Sequence, residues 1–423
     1  MKIWLKMMIC IAVGMLFGLI VPQNVGWFTG TIRLLGELSI NLLLYMSAVY
    51  IILKVFIGFF QLKKESKRKR FIPIFIGCIL GSMIVSVSLA MMMMNIDSFR
   101  PGQEFRIFQI QSAPVEVHSF ESIFTTILNA NILSIMVEPV KYLSPLIFIG
   151  AIFGIASLFA DKRMEIFVEI SMSFERFIDK IVRAAIEIFP VFATFMITYL
   201  FNTRFYNADF AEIIAKEHIT FMSIGKAIFV IILISAIMIA ASLLIMRLIC
   251  GKSIRLDMLG ILGSGLIAFT TANTVTTVIP LTEQLQHNNG VAPGIAKVLT
   301  PIGVLFNKTG TIIAAAVVLM TILSSYHINK VAPSVQTIIA LLVLLFSFRL
   351  DGSNGLGFIV LVAMVLQFKY LKLEENSYLL FMIFMPLLNR IAIFTDTVTT
   401  AVFVIIAAKA AKLKKETKHI DFI

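Results

Sequence analysis

The sequence predicts an all-α polytopic membrane protein with eight transmembrane helices and two re-entrant helical hairpins, arranged as inverted repeats. Three observations predict it. Of 423 residues, 59% are hydrophobic and only 14% charged, a balance foreign to soluble globular domains. Several apolar runs reach the ~20 residues that a helix needs to cross a hydrocarbon core. Two further apolar segments carry polar, Gly-, Thr- or Asn-rich stretches at their middle, where non-helical backbone is tolerated only if buried in protein or facing a water-filled cavity.

Runs at 3–22, 36–60 and 71–94 read as the first three crossings. The first ends in VPQN without a small-residue cleavage site and reads as a retained span, although an uncleaved signal anchor looks the same. The loop QLKKESKRKR (61–70) places that connection, and with it the N-terminus, in the cytoplasm by the positive-inside rule. The mixed segment 95–133, containing EVHSFES, is expected outside. A fourth crossing, broken by Pro139 and Pro145, returns to ADKRMEIF (160–167) inside. An amphipathic stretch with Arg176, Lys180 and Arg183 leads into a fifth crossing at 184–201. The segment 201–218 then lies outside, and a sixth crossing ends at RLICGKSIRLD (247–257).

Beyond Asp257 the pattern changes. The segment 258–290 is apolar at its ends and rich in Thr and Asn at its centre, which reads as two half-helices meeting at a polar tip. Residues 293–325 cross the bilayer with the polar knot NKTGT (307–311) in the middle. The segment 335–368 repeats the hairpin scheme around FSFRLDGSNG and enters from the opposite side. A last crossing, 375–409, ends in the basic KAAKLKKETKH. Both termini are thus expected in the cytoplasm, and the chain divides into 1–257, 258–409 and a basic cytoplasmic tail, 410–423.

The net charge of +12 sits in short hydrophilic breaks, as expected for loops on the inner side of a membrane and not for a nucleic-acid surface. Cys10, Cys78 and Cys250 lie in or at the end of apolar runs with no metal or disulfide spacing, and the five histidines form no pair at helical ligand spacing. No nucleophile and base constellation and no P-loop lysine is present. The sequence therefore points away from an enzyme, an organic cofactor or a structural metal.

Six spans followed by hairpin, broken helix, hairpin and polar last helix form an order that resembles the dicarboxylate/amino acid:cation symporter family, which includes the bacterial glutamate and aspartate carriers. The resemblance is strongest over AFTTANTVTTVIPLTEQLQHNNGVAPGIAKVLTPIGVLFNKTGT (268–311). Against the family's A-F-x-T-S-S-S-A-A-T-L-P-V-T and L-P-L-G-A-T-I-N-M-D-G-T, residues Ala268, Phe269, Pro280, Thr282, Pro301, Gly303, Asn307, Gly310 and Thr311 fall on matching positions. IAVGMLFGLIVP, FERFIDKIVRAAIEIFPVFATF and LVAMVLQ are similar to family segments, so the likeness covers almost the whole chain. It implies a glutamate-transporter-like fold and a homotrimer in the inner or plasma membrane. Scaffold and trimerisation elements would lie within 1–257, and a mobile transport part, 258–409, would carry a small amino acid or dicarboxylate with Na+ or H+ as coupling ion.

The site residues depart from the family. Its amino-group aspartate falls on Asn389, its carboxylate-pairing arginine on Ala392, the adjacent threonine on Ile393, its cation-site asparagine on Asp396 and its terminal sodium-binding aspartate on Thr400. In the seventh span, methionine and aspartate become Lys308 and Thr309 beside Asn307, and the first hairpin's serines become Asn273, Thr274 and Val275. An ionised side chain near the bilayer centre is costly and marks a functional site once a partner is named. Lys308 is expected to pair with Asp396, either standing in for a sodium ion or titrating to couple a proton; a plain salt bridge in an inactive core is the competing reading. Thr270, Thr271, Asn273, Thr274, Thr311, Asn389 and Asp396 are expected to touch substrate, while the threonines and Asn273 also suit helix capping. Arg349 and Ser353 would join them from the second hairpin, Arg349 offering a guanidinium fork to a carboxylate or pairing locally with Asp351. The leading reading is a symporter-like secondary transporter with altered or reduced sodium coupling. A transport-inactive relative serving as a membrane sensor or structural protein stands as the alternative.

Overall fold

The computed structural model describes residues 2–20, 26–65, 71–96, 99, 136, 139, 142–159, 162–205, 218–251, 254–325, 332–348, 357–367, 378, 381 and 384–418. These residues form thirteen helices: α1 (Ile3–Ile20), α2 (Gly26–Glu65), α3 (Phe71–Met94), α4 (Leu143–Leu158), α5 (Lys162–Phe205), α6 (His218–Cys250), α7 (Ile254–Thr271), α8 (Thr274–His287), α9 (Pro293–Phe306), α10 (Thr309–Ser325), α11 (Pro333–Ser347), α12 (Gly357–Leu366) and α13 (Met385–Ala410). Among the described residues extended pairing is confined to an isolated bridge between Val291 and Lys414.

Seven stretches of the described chain are long and apolar enough to cross a membrane, counting α9 and α10 as one interrupted stretch, Pro293–Ser324. The third expected crossing matches α3 end to end. The expected fourth crossing is the shorter α4, of 16 residues, and Pro145 does not break it. That proline sits in the first turn, where backbone N–H groups have no intrahelical partner to lose. The amphipathic stretch before the expected fifth crossing and that crossing are one helix, α5, of 44 residues. Glu175 is buried and Asp179 half-buried on it, whereas Arg176, Lys180 and Arg183 are exposed.

The helices pack in two groups. α1, α2, α4 and α5 hold together, and α3, α6 and α7 to α13 form the larger body. Membership is not consecutive in sequence, because α3 and α6 join the C-terminal helices. Two small-xxx-small pairs build the first group. An added Cβ at Gly14 or Gly18 of α1 would lie 2.7 Å from Thr194 O or Phe201 Cβ of α5, and one at Gly150 or Gly154 of α4 would lie 2.9 or 2.7 Å from Ile52 O or Phe59 Cβ of α2. Without a hydrophobic drive between helices in lipid, such close approach supplies the packing energy. The groups meet where α7, α8 and α9 lie against α1, α2, α4 and α5. The spans containing α9 with α10, and α13, are each 89% buried against 28% for α1, so the centre of the larger body is α9, α10 and α13.

The basic segment after α13 is folded back onto the base of the α7 and α8 pair. Ala292 N–H donates to Leu413 O at 2.9 Å, Lys415 N–H to Gly290 O at 2.8 Å, and the Thr417 hydroxyl to Asn288 O at 2.6 Å. The Lys414 ammonium reaches Asp257 at 2.9 Å with both side chains buried. Gly290 makes this possible. Its φ is +64°, and a Cβ there would collide with the carbonyl of Lys415.

Gly290→Ala is therefore expected to release the segment. Trypsin cleavage at Lys414 and Lys415 should accelerate about tenfold, the factor that corresponds to ~1.4 kcal/mol of local opening. An unchanged cleavage rate would show that the contacts do not hold the segment.

Candidate functional site

Among the described residues two helix interruptions occur in the larger body, and both are bound to α13. The first is the turn between α7 and α8. These helices run antiparallel, with Ser264 N–H donating to Gln284 Oε1 at 2.9 Å and the Asn288 amide to Gly260 O at 3.1 Å. At the tip, Ala272 adopts φ +51°, a conformation that costs a residue with a Cβ. The Asn389 side chain donates to Ala272 O at 3.1 Å, which anchors the strained residue to α13. Asn273 caps α8 by accepting from Val275 N–H at 2.9 Å. The Thr271 hydroxyl donates to Ile267 O and lies 3.0 Å from that of Thr276. Thr274, at the first position of α8, is 5% exposed and its hydroxyl has no hydrogen-bond partner.

The second interruption falls at Asn307 and Lys308, between α9 and α10. The orphan N–H groups that open α10 are met by Asp396 of α13. Its Oδ1 accepts from Gly310 N–H at 2.6 Å and from Thr311 N–H at 3.4 Å, and its Oδ2 accepts from the Thr311 hydroxyl at 2.7 Å. This is an N-cap supplied by another helix. A negative charge at a helix N-terminus gains from the helix dipole as well. Close approach requires Gly310, since a Cβ there would run into Ala392 O and lie 2.7 Å from Thr395 Cβ.

Asn307 ties the end of α9 to the next turn of α13. Its amide lies 2.7 Å from Thr399 Oγ1, 2.9 Å from Thr400 Oγ1 and 3.1 Å from Asp396 O as donor, and its Oδ1 accepts from the Thr309 hydroxyl at 2.6 Å. Ser82 of α3 lies 3.0 Å from that same hydroxyl. Lys308 Nζ donates to Val304 O at 3.4 Å. All of these side chains are buried.

Residues 389, 392, 396, 399 and 400 share one face of α13, spaced as successive turns of a helix. The structure thus gathers Asn307, Lys308, Thr309, Thr311, Asp396 and Thr400 in one cluster, and Thr271, Asn273 and Thr274 in a second one joined to it through Asn389. The principal partners of Asp396 are backbone and hydroxyl donors of α10, which the expected pairing with Lys308 did not anticipate. Arg349, Asp351 and Ser353 lie outside the described residues.

A second polar centre was missed from sequence. Lys54 of α2, Glu175, Asp179 and Arg183 of α5, Glu283 and His287 of α8, and Lys297 of α9 form a mostly buried ionic network where the two helix groups meet. The signal was present: Lys54 interrupts an apolar run as Lys308 does, and Glu175, Asp179 and Arg183 recur every four residues on one helix face.

Comparison with known proteins agrees with this architecture. The sodium:dicarboxylate symporter family matches the chain over residues 3–412. The chain belongs to that family, and it is an integral membrane protein of a transporter family, not of an enzyme family. A search of the curated proteins returns no match.

Substitutions at 396 test the cap. Asp396→Asn keeps an acceptor for Gly310 N–H, whereas Asp396→Leu strands two backbone donors and a hydroxyl, each unpaired group costing ~1–3 kcal/mol. Melting temperature in detergent is expected to fall in the order wild type, Asn, Leu. Equal melting of the two variants would show that hydrogen bonding at Asp396 does not hold the break together.

Proposed function

We propose that this member of the sodium:dicarboxylate symporter family is a secondary active transporter that carries a small amino acid or dicarboxylate by an elevator-like movement of the larger helix group against the smaller one. Sodium coupling is altered or reduced. The observation that carries this reading is the attachment of both helix interruptions to one polar face of α13, by Asn389 at the hairpin tip and Asp396 at the break in the seventh span. In a bilayer, broken helices place backbone donors and acceptors where a substrate carboxylate and a coupling ion would otherwise find only hydrocarbon.

In this reading α7 with α8, and α11 with α12, are re-entrant hairpins completing eight crossings, both termini are cytoplasmic, and three copies assemble. The unpartnered Thr274 hydroxyl at the start of α8 is the donor best suited to a substrate carboxylate, since the helix N-terminus adds positive potential at the same place. Thr271, Asn273 and Asn389 shape that end, Thr311 and Asp396 close the other, and Arg349 and Ser353 approach from the second hairpin.

Coupling is where the chain departs from its family. Oxygens of Thr399, Thr400 and the Asp396 carbonyl all surround the Asn307 amide, whose two N–H groups are shared among them where a cation would otherwise be expected. In this reading the Lys308 ammonium, buried in the same cluster as Asp396, supplies the positive charge. Together these support a built-in cation in place of at least one sodium ion.

The test is uptake of labelled L-aspartate, L-glutamate, L-serine and succinate into proteoliposomes under sodium, proton or no cation gradient. The expected result is uptake of at least one of them without sodium. Lys308→Met should then bring sodium dependence, seen also as a rise in melting temperature on adding sodium. Uptake by the wild type that strictly requires sodium would contradict the built-in cation. No uptake from folded protein under any gradient would favour the transport-inactive alternative.

A further inference from the structure

The seven-residue ionic network is not a surface decoration. Lys54 and Glu283 are each 1% exposed and lie 3.2 Å apart, yet they belong to different helix groups. Lys54 also reaches Glu175 at 2.9 Å and Asp179 at 2.8 Å on its own side. Lys297, from the larger group, reaches back to the same Glu175 oxygen at 2.7 Å. The Tyr50 hydroxyl donates to Glu283 Oε1 at 3.1 Å and Arg183 Nε lies 3.3 Å from its Oε2, so both oxygens of Glu283 are held by the smaller group.

The arithmetic of the charges has a particular form. In the smaller group Lys54 bridges Glu175 and Asp179, and Arg183, which itself reaches across to Glu283, brings the sum to two positive against two negative. In the larger group Lys297 and Glu283 carry one charge of each sign, with His287 taken as neutral, although each of the two is bridged across to the smaller group, Lys297 to Glu175 and Glu283 to Lys54 and Arg183. The cross-bridges could therefore part without leaving net charge on either face. A structural clamp has no need of this property, since it never opens. A contact that must close firmly and also release does need it, because an uncompensated charge left at an apolar interface would bar the separation.

We propose that this network is a reversible ionic latch that holds the two helix groups in the arrangement seen here, with Glu283 as its central bolt, and that it must open for the larger group to slide. The proposal rests on the elevator-like reading above and names the contacts that set its resting position. Glu283 and Lys297 are positioning residues in this account, with no part in contacting solute.

The test measures the separation of the groups directly, without any solute. Full-length protein with Cys10, Cys78 and Cys250 replaced by serine carries two fluorophores, at Ile188 of α5 and Leu341 of α11, which are both exposed. It is reconstituted with excess unlabelled protein into phosphatidylcholine and phosphatidylglycerol vesicles and observed by single-molecule energy transfer. One dominant separation is expected for the wild type. The isosteric Glu283→Gln should raise the share of a second separation about fivefold or more, the lower range of couplings between sites. Lys297→Gln, which cuts the bridge to Glu175 from the same group, should act in the same direction, and it serves as the test if Glu283→Gln does not fold. Two separations in equal shares with and without the substitution would overturn the latch and leave the sliding motion intact. A single unchanged separation in wild type and variants would overturn the latch too, and the uptake assay would then decide separately whether the transport reading stands.

Discussion

A helix interrupted inside an apolar bundle leaves backbone donors and acceptors that water cannot reach, and the centre of this protein is built around meeting that demand. Each such group left unpaired in hydrocarbon costs several kcal/mol. The solution is concentrated on α13. One carboxylate, Asp396, accepts three hydrogen bonds at the start of α10, and one amide, Asn389, secures the strained Ala272. The burial of α13 and of the broken stretch α9–α10 follows from this arrangement, because the polar groups are affordable only when protein surrounds them. The same demand explains Gly310, whose missing side chain lets the two helices approach closely enough for the cap to form.

Charge is handled by a parallel logic at two places. Within the larger group, Lys308 is buried at the helix break that Asp396 caps. Between the groups, six formal charges are closed into ion pairs. Removing one partner of a buried pair typically costs ~3–5 kcal/mol, because a charge is left without compensation. Neither centre is therefore neutral to mutation, but they differ in kind. The first is internal to one body, and the second lies between two bodies that meet where α7, α8 and α9 pack against α1, α2, α4 and α5.

Much of the fold was legible because lipid imposes a length on apolar runs. α3 was read to the residue, and the position of the break at Asn307 and Lys308 was visible as a polar knot in an otherwise apolar span. The hairpin tip at Ala272 and Asn273 was legible for the same reason. Legibility ended where partners come from distant segments. Asp396 was singled out, but nothing in its own segment reveals that backbone amides of residues 310 and 311 would be its main donors. The ionic network was overlooked because Lys54, Glu283 and Lys297 each sit alone in a separate segment. The amphipathic stretch with Arg176, Lys180 and Arg183 and the crossing it leads into form one continuous helix. The lysines of the tail mark it as a basic cytoplasmic segment, but its docking depends on Gly290 adopting a left-handed conformation that composition does not announce.

The most direct test of the central claim is amide hydrogen exchange of the peptide spanning residues 307–312 in the reconstituted protein, compared with the same peptide in Asp396→Leu. If α13 satisfies the broken helix, the Gly310 and Thr311 amides exchange slowly in the wild type and fast in the variant, although neither amide has a partner within its own helix. Fast exchange in the wild type, or equal protection in both proteins, would mean that the interruption is held by something other than Asp396 and would contradict the account.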